Sequence, residues 1–170
     1  MITKIILGAI TAAVMASYPL TAMACTATHA IYTLDGSPAI RAHLEPLGSH
    51  GRSPGETALV IESTAVHKKI WYLFETGSGP SVHLISTEDV SQANWTPPAP
   101  DGRAHRPLFD TEYLETSEDD HFLRTRVPHV ADEAAAKLLV VDLSEALKLG
   151  GLTDHYVDQG FFKLSACAPA

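Results

Sequence analysis

The chain carries nine histidines: His29, His43, His50, His67, His83, His105, His121, His129 and His155. Neutral imidazole is a ligand for zinc, copper and nickel. No two of these histidines stand at H-x-H or H-x-x-x-H spacing. The most ligand-like local group is Asp154-His155 with Asp158, followed by Glu118-Asp119-Asp120-His121. The first of these groups predicts a zinc or copper site built from Asp154, His155 and Asp158. The same three side chains could instead serve a small hydrolase, if they lay within hydrogen-bond reach of one another and of a cleft. Against either chemistry stands the ordinary reading of exposed polar loop residues.

Charge patterning offers a different activity. Asp110, Glu112, Glu115, Glu118, Asp119 and Asp120 follow one another with no basic residue between them. The period-two geometry of a strand puts Asp110 and Glu112 on one face. Such a run can dock a basic partner, or it can simply keep a hairpin solvated and free of edge pairing. Arg103-Ala104-His105-Arg106 and Arg124-Thr125-Arg126 could hold an anion or pair with these acids. Trp71, Tyr72 and Phe74 could line a pocket, but their strongly apolar surroundings favour core packing.

Several catalytic signatures are missing. The sequence has no GxSxG elbow, HExxH, phosphate loop, GxGxxG or CxxC. Together with the export signal, small size and acidic balance described below, this makes a non-catalytic module that binds another macromolecule, in an inhibitor, immunity-type or envelope accessory role, the leading expectation, ahead of the metal-binding and hydrolase readings.

The elements that must position these residues are mostly strands. Thr28–Leu34 and Ala39–Glu45 flank the turn signal Asp35-Gly36-Ser37-Pro38 and form the clearest hairpin. Pairing across a two- or four-residue loop places Ile31, Thr33, Ile40, Ala42 and Leu44 on the core face. Tyr32, Arg41, His43 and Glu45 then form the outer face, the first candidate binding surface, with Asp110 and Glu112 the second. His29 and His43 fall on opposite faces and should not share a metal. A Gly- and Ser-rich loop spans residues 48–56. Strands over 57–62, 69–75 and 81–86 follow with short links, which suggests an antiparallel meander.

Residues 94–107 contain four prolines and form a long surface loop rather than a domain linker. A second hairpin is expected from 108–115 and 121–127. Ala131–Lys137 is helix-friendly, and residues 138–141 can continue that helix or form a strand. Asp142-Leu143-Ser144-Glu145 has capping-box form and opens a short helix over 143–149, stopped by Gly150-Gly151. A last strand runs from Phe161 to Ala166. The fold expected is β-rich α+β: about seven or eight strands in mainly antiparallel sheet, with one or two short helices near the C-terminus.

Residues 1–24 read as a signal peptide. Lys4 precedes an apolar run too short to span a bilayer, and Ala22-Met23-Ala24 supplies small residues for cleavage. Residues 25–170 would then be one exported globular domain, periplasmic or extracellular, with no transmembrane segment. Cys25 would begin it. That is the position acylated in lipoproteins, but Ala22 and Met23 match the acylation signal poorly. A disulfide between Cys25 and Cys167, the chain's two cysteines, fits an oxidising compartment better.

The 170 residues hold 12 Lys and Arg against 20 Asp and Glu, a net charge of −8. Loss of Lys4 with the leader makes the balance one unit more negative. An acidic chain of this kind is a poor fit for nucleic acid, which needs a basic face. It points to a basic protein as the partner.

Overall fold

The computed structural model describes residues 25–76, 82–98, 106–124 and 127–169. The expected signal peptide over residues 1–24 lies outside them, as do Arg103, His105 and Arg126. The strands are β1 (Ala30–Leu34), β2 (Ser37–Pro46), β3 (Thr57–Ser63), β4 (Lys68–Thr76), β5 (Val82–Thr87), β6 (Thr111–Thr116), β7 (Phe122–Arg124), β8 (Lys137–Val140) and β9 (Phe162–Cys167). One helix, α1 (Leu143–Leu149), lies between β8 and β9. The strand order is β5-β4-β3-β2-β1-β9-β8-β6-β7, and a further β5–β6 pairing joins the ribbon into a closed ring of eight. All these pairings are antiparallel. β7 pairs only with β6 and stands outside the ring. The β-rich α+β expectation holds, with nine strands and one α-helix among the described residues.

The meander is read directly from its sequence. In β3, Leu59 and Ile61 face the barrel interior while Ala58 and Val60 face outward. In β4, Ile70, Tyr72 and Phe74 point in, and Trp71 and Leu73 point out. Both faces are apolar because a segment beyond β5 folds back over the outer one: Val90 and Trp95 pack there with Leu47. The Trp95 indole N–H donates to Thr87 Oγ1 at 3.0 Å, which satisfies its polar edge in this covered site.

The first hairpin forms where expected, but its faces are exchanged on β1. Leu34 stands opposite Ser37, whereas Thr33 stands opposite Arg41. β2 thus carries three extra residues, Pro38, Ala39 and Ile40, at that point. An odd insertion reverses which side chains of β1 share a face with those of β2. Tyr32 pairs with Ala42 and is buried inside; Ile31 and Thr33 are only half-buried, opposite His43 and Arg41.

Two local helix signals are also overridden. Residues 131–136 are not helical. Their backbone is committed to the N-terminal segment: Ala27 N donates to Asp132 O and Ala134 N to Cys25 O, each at 2.8 Å. The Cys25–Cys167 disulfide holds that segment against the end of β9. Tertiary pairing of this kind outweighs the few tenths of a kcal/mol per residue that alanine contributes to a helix. Residues 137–140 are strand, not a continuation of a helix. At the start of α1 the expected capping box is not made. Asp142 sits in the left-handed region at φ 52° with no side-chain cap. Ser144 Oγ instead accepts from Val157 N at 3.0 Å.

The two barrel ends are closed differently. At one, Leu143, Ala146 and Leu147 of α1 join Leu152 in the interior cluster. Gly150 follows the helix, and a Cβ there would lie 2.5 Å from Ile70 Cγ2. At the other, Ala27 and Ala135 enter the cluster beside the disulfide. Thr57 Oγ1 donates to Pro128 O at 2.9 Å, and Val130 N to Gly55 O at 2.9 Å.

Two stability outcomes follow from these closures. Gly150→Ala should lower the urea midpoint, at a cost of about 1–3 kcal/mol for the forced overlap with Ile70; an unchanged midpoint would mean that α1 can lift off β4 freely. Converting both Cys25 and Cys167 to Ser opens a loop of sequence separation 142 and should cost at most about 5 kcal/mol in the same assay. A double variant as stable as the parent would remove the disulfide from the account of the fold.

Candidate functional site

Eight strands is the size at which a barrel is either filled by its own side chains or left with room for one small ligand. Here Tyr32, Tyr72, Tyr113, Phe74 and Phe162 meet in the interior with the aliphatic residues. Phe74 and Tyr113 pack edge to face at 5.0 Å. The Tyr113 hydroxyl donates to Glu115 Oε1 at 2.7 Å, both side chains being buried. The Tyr72 hydroxyl is buried without a hydrogen-bond partner. Burial pushes its phenol well above the ordinary value of 10.0. The interior is therefore a packed core, and the depressions described below open on the outside.

Three of the four residues of the first candidate surface share the outer face. Arg41, His43 and Glu45 project outward from β2, while Tyr32 is inside for the register reason given above. His43 stands 3.8 Å from Glu45 Oε2. Glu62 of β3 and Lys69 of β4 complete a mixed-charge patch, joined to each other at 3.8 Å. The second candidate surface is divided. Asp110 pairs with Arg106 and also accepts from Ser86 N. Glu112 faces His83 across the β5–β6 pair. Glu115 points into the barrel, and Asp120 is bound by Lys137 at 2.9 Å. The acidic run is continuous in sequence, but strand alternation spreads it over several environments.

Among the described residues, no three His, Cys, Asp or Glu side chains converge as a metal site. Asp154 Oδ1 and His155 Nδ1 are hydrogen-bonded at 2.6 Å, so two of the three nominated residues meet. The His155 hydrogen bond holds the Asp154 carboxyl below its ordinary range. Both side chains are open to water, 96% exposed for Asp154 and 73% for His155.

Three depressions stand out on the surface formed by the described residues. A small one, about 70 Å³, lies between the 47–56 loop and Trp95, with His50 edge-on to Trp95 at 5.8 Å. Its charges are already matched: Arg52 pairs with Glu75 at 3.2 Å, and Glu56 accepts from Ser53 Oγ and Arg52 N. Burial pushes Glu56 up, but those hydrogen bonds outweigh it and keep the carboxyl low. A second, about 320 Å³, runs beside Lys69 and Asp89. The third and largest, about 480 Å³, lies at the α1 end. Ile40, Val66, Leu152 and Val157 line it, and Asp154 and His155 stand on its wall. Nothing in the sequence marked Ser63, which also lines this groove; it is an ordinary serine at the end of a strand.

Comparison with known protein families, curated proteins and solved structures finds no match.

The His43 environment yields a pH dependence. Its side chain is 24% exposed. Burial holds its pKa below the ordinary 6.5; Lys69 adds to this, while Glu62 and Glu45 oppose it. The unfolded chain then takes up the proton first. This contribution to stability is complete above about pH 6.5 and is lost as the pH falls through the depressed native value. His43→Gln should reduce the drop in melting temperature between about pH 7.5 and pH 5. An identical drop in both proteins would exclude His43 as its source.

Proposed function

We propose that this chain is an exported, non-catalytic module that binds another macromolecule on its outer surface, and that its partner is a basic protein. The observation carrying this reading is the filled, doubly closed barrel, which leaves the exterior as the place of contact. The net charge of −8 supports a basic partner, since opposite charge speeds diffusional encounter and is weakened by salt. The disulfide suits an oxidising compartment. No helix among the described residues is long and apolar enough to cross a membrane. The outward patch of Arg41, His43, Glu45 and Glu62 is the starting point for mapping the contact.

The immobilised chain, residues 25–170, should capture a basic protein from envelope or secreted extract at low salt and release most of it at about 0.5 M salt, beyond the range of exposed charge interactions. Charge-reversing Glu45→Lys together with Glu62→Lys should weaken capture at low salt. The absence of any salt-sensitive partner would count against the proposal.

A further inference from the structure

The strands of the ring are not joined equally. Among the described residues, β8 and β9 stand in register only at Lys137–Lys163 and Leu138–Phe162, with one further backbone bond from Leu164 N to Ala136 O at 2.9 Å. β3, by comparison, pairs with β2 and β4 along nearly its whole length. One of the two β8–β9 pairs sets lysine opposite lysine, an arrangement that weakens a sheet. Each ammonium is met by a carboxylate from elsewhere: Lys137 by Asp120 at 2.9 Å, and Lys163 by Asp35 at 2.7 Å. Beyond this seam the two strands part. β9 is exposed from Lys163 to Cys167. The chain entering β8 is held instead by the N-terminal segment, through Ala27 N to Asp132 O, Ala134 N to Cys25 O and the Thr26–Glu133 bridge. The disulfide spans the gap, tying the end of β9 to the segment that holds the approach to β8.

We propose that the Cys25–Cys167 bond is a redox latch on the β8–β9 seam. Oxidised, it keeps the ring shut there; reduced, it lets the ring open at that seam while the rest of the sheet stays paired. Cys167 lies in the exposed stretch of β9 and Cys25 is half-buried, so the bond sits at the rim and not within the core. A dithiol in the surrounding medium supplies the electrons. Its thiolate attacks one sulfur, and the other cysteine leaves as a thiolate and takes up a proton. The second thiol of the dithiol then displaces the first cysteine. The protein gains two electrons and two protons, and the dithiol becomes a disulfide. The latch couples closure of the barrel to the thiol balance of its compartment, and it stands independently of the protein-binding role proposed above.

The test is amide hydrogen exchange on the ¹⁵N-labelled chain, residues 25–170, before and after reduction by dithiothreitol without denaturant. The folded chain should be reduced, and the circular dichroism of its sheet should be kept. Protection of the Leu164 amide should then fall about tenfold more than that of the β3 and β4 amides, which report opening of the whole sheet. Reoxidation should restore it. Asp120→Asn removes the carboxylate beside Lys137 and installs a residue that tolerates the left-handed φ of 62° at this position. It should widen the difference in the reduced chain and leave the oxidised chain unchanged. The proposal falls if dithiothreitol cannot reduce the bond without denaturant, if the reduced chain unfolds altogether, or if protection at Leu164 falls by the same factor as in β3 and β4. An equal effect of Asp120→Asn in both redox forms would also overturn it, since the latch would then carry no load at the lysine pair.

Discussion

The β5–β6 pairing turns a ribbon of strands into a ring, and the rest of the molecule adapts to it. Val82, His83 and Leu84 face Tyr113, Glu112 and Thr111 across that seam. A ring has no long free backbone edge to guard, so the chain avoids the aggregation hazard that an open sheet of this size presents. Closure also fixes the interior volume. Every inward residue must share it, and the three buried tyrosines and two phenylalanines occupy what smaller side chains would leave vacant. The helix and the N-terminal segment are then stoppers for the two openings.

That arrangement decides where the protein can interact. With the core packed, the surface open to solvent is the outer wall and the rims. The outer wall is uneven. Over β3, β4 and β5 it is apolar and covered by the segment bearing Val90 and Trp95. Further round, at Arg41, His43, Glu62 and Lys69, it is charged and open. The covering segment makes one sector part of a second small core and leaves the remainder as surface.

Much of this was legible in the residues themselves. The meander could be read because Ala58–Ile61 and Ile70–Phe74 are apolar on both faces, which only a strand covered on both sides needs. The tight turn at Asp35-Gly36, the 143–149 helix, the last strand and the disulfide could also be read. What escaped was non-local. The face of Tyr32 depends on a three-residue bulge in the opposite strand, and no alternation within β1 reveals it. The alanines at 134–136 favour a helix locally, yet their segment is held by Cys25 and Ala27, more than 100 residues away in sequence. Of the nominated residues, Arg41, His43 and Glu45 face outward, as the alternation of β2 alone predicts, and Asp154 meets His155. The continuity of the acidic run was misleading, because alternation sends Glu115 inward. Ser63 carried no local signal at all; only the fold brings it beside Leu152 and Asp154.

The sulfur bridge has a mechanical meaning as well as a thermodynamic one. Cys25 and Cys167 lie near the two ends of the described chain, 5.8 Å apart between Cα atoms, and β1 and β9 run side by side just inside them. Tension applied to the chain at these two positions would pass from one cysteine to the other through a covalent bond. The hydrogen bonds between β1 and β9 would carry none of that load, and the ring could not be unzipped from its ends while the bridge stayed intact.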